Sequence, residues 1–226
     1  MKGISSMATR QVLADLTAAW QAGGGEAITI ESVGGVDAAQ RVQAGAEAFD
    51  LVFLASNAID KLQAAGRVVA DSKVDLMLSS TAVAVPAGAA KPDISSEDAV
   101  RAAVLAAASI GYSTGPSGVA LQKLFERWGI AEQIQSRIVQ AKPGVPVGSM
   151  VASGEVALGF QQLSELIHVT GIEIVGALPE AIAIDTVFSA GLVTGSTHAD
   201  AAQQLLAFMA SPKAADAKRK QGMEPA

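Results

Sequence analysis

This chain contains no cysteine, only two histidines, and just 4% aromatic residues. Without cysteine there is no disulfide, no thiolate nucleophile and no cysteine-bound metal. His168 and His198 stand far apart and have no carboxylates at ligand spacing, so no metal and no cofactor are assigned. With so few rings, the core must be built from alanine, valine, isoleucine and leucine. Charged residues are also sparse, at 17%, against 50% apolar ones. This composition is globular rather than disordered. No apolar run approaches the roughly 20 residues a helix needs to span a bilayer, so no membrane insertion is expected. The net charge of −6 comes with no basic stripe, which argues against a nucleic-acid partner. No charged start followed by an apolar segment is present at the beginning of the chain. Read as written, the chain is therefore expected in the cytoplasm, or in the periplasm if a leader has been removed.

What the chain does have is a recurring junction: a short apolar run, then hydroxyl residues, then an amphipathic run. The fullest case is Gly111-Tyr112-Ser113-Thr114-Gly115-Pro116-Ser117-Gly118-Val119. Pro116 stands where a first helical residue belongs, and hydroxyls surround the cap. Unpaired N–H groups and the positive dipole end at such a helix start attract anions. Ile4-Ser5-Ser6-Met7 and Leu54-Ala55-Ser56-Asn57 repeat the arrangement. In open α/β sheets, ligands collect at the carboxyl ends of strands.

Periodicity predicts helices over 8–21, 36–44, 58–65, 116–128, 131–135, 146–152 and 199–210. A further helix starts at Ser95, with Asp98 completing a capping box. Strands are predicted over 27–33, 50–54, 81–85, 109–112, 137–140, 156–160, 172–175 and 183–193, with a short helix opening at Gln161. Ser211-Pro212 begins a final helix that is charged in Lys218-Arg219-Lys220. Repeated strand–helix units imply α/β architecture with a mainly parallel sheet. At 226 residues the chain fits one large domain or two lobes.

The order of motifs resembles the molybdate-binding type of ABC-transporter substrate-binding protein, a family that also has aconitate-isomerase-like members. The resemblance is carried by Ser5-Ser6, Ala55-Ser56-Asn57, the Tyr112–Gly118 turn, Val68-Val69 to Asp75-Leu76, Val151–Gly159 and Ser211–Ala215. It covers essentially the whole chain. It implies a two-lobed type II periplasmic-binding-protein fold with a ligand cleft between the lobes. Lobe I would be residues 1–80 with 182–226, and lobe II 81–181, joined near 79–85 and 181–188. The ligand-binding positions it implies are Ser6, with Ser5 as the alternative because the register is open, Ser56, Ser113, Thr114, Ser117, Gly118, Ser149 and Gln162.

A tyrosine commonly follows the strand that here ends in Gly159-Phe160, whereas this chain has Gln161-Gln162. An amide offers both a donor and an acceptor, which a simple oxyanion does not need. Arg10 could add a bidentate carboxylate contact. The expected ligand is therefore a small anion, an organic carboxylate in preference to a molybdate-like oxyanion. The partner would be an ABC permease, and the oligomeric state is left open. The alternative is an isomerase acting on a small polycarboxylate such as aconitate by proton transfer. That reaction needs a general base, and Glu165, His168, Glu31 and Lys73 are the candidates. None sits in a motif that compels the role, so no catalytic residue is assigned. Glu165 and His168 read most simply as a solvated helix end. Gly115-Pro116-Ser117-Gly118 lacks the spacing of a hydrolase elbow.

Overall fold

Apolar runs alternate with amphipathic ones, and strands alternate with helices along all 226 residues described by the computed structural model. In chain order these are β1 (Lys2–Ser6), α1 (Arg10–Ala22), β2 (Thr29–Val33), α2 (Gly35–Ala44), β3 (Leu51–Ala55), α3 (Ser56–Ala64) and β4 (Val74–Pro86). Then come α4 (Glu97–Ala106), β5 (Ile110–Tyr112), α5 (Pro116–Arg127), α6 (Ala131–Ile134), β6 (Ile138–Gln140), α7 (Val147–Ala152), β7 (Leu158–Gln162) and α8 (Leu163–Leu166). The chain closes with β8 (Ile172–Ala177), β9 (Asp185–Leu192), α9 (Ala199–Ala210), α10 (Ala215–Lys220) and β10 (Glu224–Pro225). No helix is long and apolar enough to cross a membrane.

The chain divides into two compact units, Met1–Ser79 with Val187–Ala226, and Ser80–Thr186. It passes from one unit to the other within β4 and within β9. In the first unit, β1 pairs parallel with β2 and β3, and β9 pairs antiparallel with β3. β3 is buried throughout and divides its side chains by the two-residue period of a strand. Leu51 and Phe53 join Val12, Leu13, Leu16, Leu205 and Met209 of α1 and α9. Val52 and Leu54 join Val42, Ile59 and Leu62 of α2 and α3. A strand covered on both faces reads as the continuous apolar run seen here.

In the second unit, β5 pairs parallel with β6 and β7, while β4 takes β7 and β8 antiparallel. Val83, Val85, Leu158 and Phe160 meet Val100, Val104, Leu121 and Phe125 of α4 and α5. Ala82 and Ala84 face the other way, toward Leu166 of α8.

Several expectations need correction. The sheets are mixed rather than mainly parallel, because β4 and β9 run opposite to the strands of the strand–helix–strand repeats. β4 is a thirteen-residue strand, not the five predicted, since β10 pairs with its first half and β7 and β8 with its second. Tertiary pairing carries the strand through the polar Asp75 and Ser79–Ser80 positions. The N-cap of α4 is Ser96, whose hydroxyl accepts from Ala99 N at 3.2 Å, while Ser95 N donates to Asp93. The first helix is preceded by a 3-10 turn at Met7–Thr9. Finally, Gln161 and Gln162 end strand β7, opposite Ala82 and Thr81, instead of opening a helix.

Candidate functional site

In the first unit the hydroxyl junctions fall at strand ends. Ser5 is fully buried and lies opposite Ser32 across β1 and β2, with their hydroxyls 2.8 Å apart. Ser6 precedes the 3-10 turn in extended backbone, and its hydroxyl is buried with no partner. Its carbonyl is occupied, accepting from Thr9 Oγ1 at 3.1 Å. Ser56 is the first residue of α3, directly after β3, and is half-buried. Arg10 opens α1 and is exposed. It lines a groove of about 690 Å³ together with Gln11, Thr17, Thr29 and Ser32.

In the second unit Gly115 caps α5, and Pro116 occupies its first position as the sequence predicts. Ser113 Oγ accepts from Gly115 N at 3.3 Å, which tightens the turn. Ser117 and Gly118 are buried in the first turn of α5, and Ser113 and Thr114 are half-buried before it. A Cβ on Gly118 would stand 1.7 Å from the Ser113 carbonyl oxygen, so only glycine allows this close approach. Ser149 is exposed near the start of α7.

The two glutamines diverge because neighbouring strand residues face opposite ways. Gln161 is engaged at both ends of its amide. Its Oε1 accepts from Gly148 N at 2.9 Å, and its Nε2 donates to Glu165 Oε1 at 2.9 Å. Gln161 thus satisfies a backbone donor of the α7 start, a role usually filled by a cap residue. Gln162 donates from Nε2 to Thr186 Oγ1 at 2.8 Å, and its Oε1 has no partner. The hydroxyls of Thr81 and Ser164 are also buried and unpartnered.

Glu165 is not the solvated helix-end residue expected. It is half-buried, and loss of hydration pushes its carboxyl up to about 7, against the opposing effect of the Gln161 hydrogen bond. Part of its surface still reaches solvent, but protein surrounds the carboxyl on most sides. Two other candidate bases are engaged elsewhere. Glu31 pairs with Arg41 at 2.7 Å, and Lys73 with Asp60 at 2.6 Å. His168 is exposed beyond α8. Sequence reasoning missed Thr81 and Thr186. The available signal was the hydroxyl run Ser79–Thr81 leading into the apolar residues 82–85, where a buried hydroxyl needs a reason.

Mixed α/β units with hydroxyl-bearing strand-to-helix turns are the features of a periplasmic-binding-protein-type fold. The chain matches the model of the bacterial extracellular solute-binding proteins over residues 2–224, and it belongs to that family. It is 44% identical to an aconitate isomerase from a Pseudomonas species over 180 residues, which is 79% of this chain and 68% of that protein. Among solved structures it resembles the periplasmic molybdate-binding protein of Azotobacter vinelandii, with a TM-score of 0.80 and 22% identity over 99% of this chain and 98% of the other. The sulfate-binding protein SubI of Mycobacterium tuberculosis gives a TM-score of 0.80 at 18% identity, covering 100% of this chain and 86% of that one. Both structural likenesses show the fold.

Proposed function

We propose that this chain binds a small polycarboxylate anion, in preference to a molybdate-like oxyanion, and delivers it to an ABC permease. The observation that carries the reading is the 44% identity to an aconitate isomerase across 79% of the chain. Aconitate is a tricarboxylate, and planar carboxylates suit amide and guanidinium groups better than tetrahedral oxyanions do. The groups we assign to the ligand are the hydroxyls of Ser6, Ser56 and Ser117, the amide of Gln162, and Arg10. Helix-start N–H groups near these hydroxyls add favourable dipoles. We assign its working place to the outside of the inner membrane, as for other extracellular solute-binding proteins.

A thermal-shift panel tests this reading. Citrate, trans-aconitate and tricarballylate are compared with molybdate, tungstate and sulfate. Ligand at a hundred times its dissociation constant stabilises a fold by about 2.7 kcal/mol, so a carboxylate should raise the melting point visibly. A shift with oxyanions alone would refute the reading.

A second reading is favoured by one observation. Glu165 carries a carboxyl raised to about 7, the range in which a carboxylate serves best as a general base. In this reading the chain is an isomerase: Glu165 takes a proton from the methylene carbon beside the substrate double bond, the double bond shifts by one position, and the proton is returned to the far carbon of the three. Ultraviolet absorbance would then report interconversion of cis- and trans-aconitate. Glu165→Gln should abolish turnover while leaving the thermal shift in place. If the wild-type chain binds aconitate without interconverting it, this reading fails and the binding reading stands.

A further inference from the structure

We infer that the ligand must bring an O–H donor to Gln162, which makes it either a hydroxylated polycarboxylate or a polycarboxylate bound with one carboxyl protonated. This rests on the polycarboxylate reading above and narrows it.

The argument starts from the register of β4 and β7. Thr81 and Gln162 lie directly opposite each other on these antiparallel strands. Thr81 is fully buried, and Gln162 and Thr186 are 3% and 8% exposed. Neighbouring backbone groups are bonded elsewhere. Thr81 N donates to Ile184 O at 2.9 Å, and Thr81 O accepts from Leu178 N at 3.1 Å. Gln162 Nε2 donates to Thr186 Oγ1. What remains is one amide oxygen and the Thr81 hydroxyl, both buried and both without a partner.

A hydroxyl can rotate to donate or to accept, but an amide oxygen only accepts. With Nε2 turned to Thr186, as here, an ionised carboxylate or a molybdate-like oxyanion, which only accepts, cannot complete Gln162 Oε1. An O–H on the ligand can, and the Thr81 hydroxyl can then donate to the ligand oxygen. The reverse amide orientation would present a donor instead and would abolish the signature tested below. The adjacent Gln161 supplies the contrast. Both ends of the Gln161 amide are bonded within the chain. Buried polar groups are ordinarily satisfied, so an orphaned acceptor calls for a partner from outside.

The test is calorimetric titration of the whole chain with matched pairs that differ by one hydroxyl: citrate against tricarballylate, and malate against succinate. Each titration is run in two buffers of different ionisation enthalpy, which reveals proton uptake. If the donor is a hydroxyl, the hydroxylated member binds about tenfold tighter or more. If the donor is a protonated carboxyl, the members bind alike and each takes up about one proton. Gln162→Leu removes the acceptor and should erase whichever signature appears. Thr81→Val, a near-isosteric change, should reduce it, and it decides the matter if Gln162→Leu does not fold. Equal binding within each pair with no proton uptake overturns the inference while leaving the polycarboxylate reading intact. So does a signature that survives in both variants. If no member binds at all, the polycarboxylate reading fails and the inference falls with it.

Discussion

The two units bury similar α/β cores but treat buried polar groups differently. In the first unit the buried charges are completed by the chain itself. Asp50 accepts from Lys2 N at 2.7 Å, Ser196 Oγ at 2.6 Å and His198 Nδ1 at 3.1 Å, tying the starts of β1 and β3 to the loop before α9. Lys218, buried on α10, donates to the Leu76 carbonyl of β4, and burial lowers its pKa. In the second unit Glu165 accepts from the Gln161 amide, and Gln162 and Thr81 keep unpartnered atoms. The first unit also retains bare hydroxyls, at Ser6 and Ser79. Those can donate to an anion, whereas the Gln162 oxygen can only accept. Completed polar groups hold a scaffold together, and among the unpartnered ones we assign Ser6, Thr81 and Gln162 to a ligand.

The sharpest way to break this comparison is to remove a completed group. Asp50→Ala removes the acceptor of Lys2 N and Ser196 Oγ and the nearer partner of His198 Nδ1, and should destabilise the chain by about 3 kcal/mol in urea unfolding. Carboxylate affinity should be unchanged, provided it is measured where the variant is folded. A loss below about 1 kcal/mol would show that the Asp50 cluster does not anchor the first unit.

A smaller effect separates the units by pH. Burial pushes Asp50 up, but the hydrogen bonds from Ser196, Lys2 and His198 outweigh it and hold its carboxyl below the ordinary range. A depressed carboxyl contributes stability that is present above its unfolded pKa and lost as the pH falls through the folded value. Glu165 has the opposite sign. Its stability contribution is complete below its ordinary value of 4.5 and is lost as the pH rises through about 7. At about 1.4 kcal/mol per pKa unit, discounted for partial exposure, the loss should be about 2 kcal/mol. Glu165→Gln should flatten the decline between pH 4.5 and 8, and Asp50→Asn the acid limb. An unchanged neutral limb in Glu165→Gln would mean the carboxyl is better solvated than its surroundings indicate.

The smallest effects sharpen the binding side. Ser6→Ala and Ser117→Ala should each weaken carboxylate binding by about 1–2 kcal/mol while changing stability little. Binding should fall only modestly with salt, because hydrogen bonds to an enclosed ligand are poorly screened. Calorimetry showing unchanged affinity in both variants would remove these hydroxyls from the site.

Much of the fold was legible in local pattern. The amphipathic run at 199–210 forms α9 over that range, and Pro116 opens α5 as its chemistry predicts. The apolar run at 50–54 is displaced by one residue as β3. The misses were tertiary. The length of β4 depends on partners drawn from β7, β8 and β10, which no local window contains. Gln161 and Gln162 looked like a helix start because their polar character hid the cross-strand pairing with Ala82 and Thr81. At the candidate site, the hydroxyl turns were visible as spacing. The desolvation of Glu165 and the orphaned oxygen of Gln162 were not, because both arise from what packs around them.

Native mass spectrometry of the chain purified without added anions, followed by competition with citrate and molybdate, tests the central claim most directly. The account predicts a retained or readily acquired polycarboxylate mass that molybdate does not displace. A retained molybdate or sulfate mass, undisturbed by excess citrate, would contradict it.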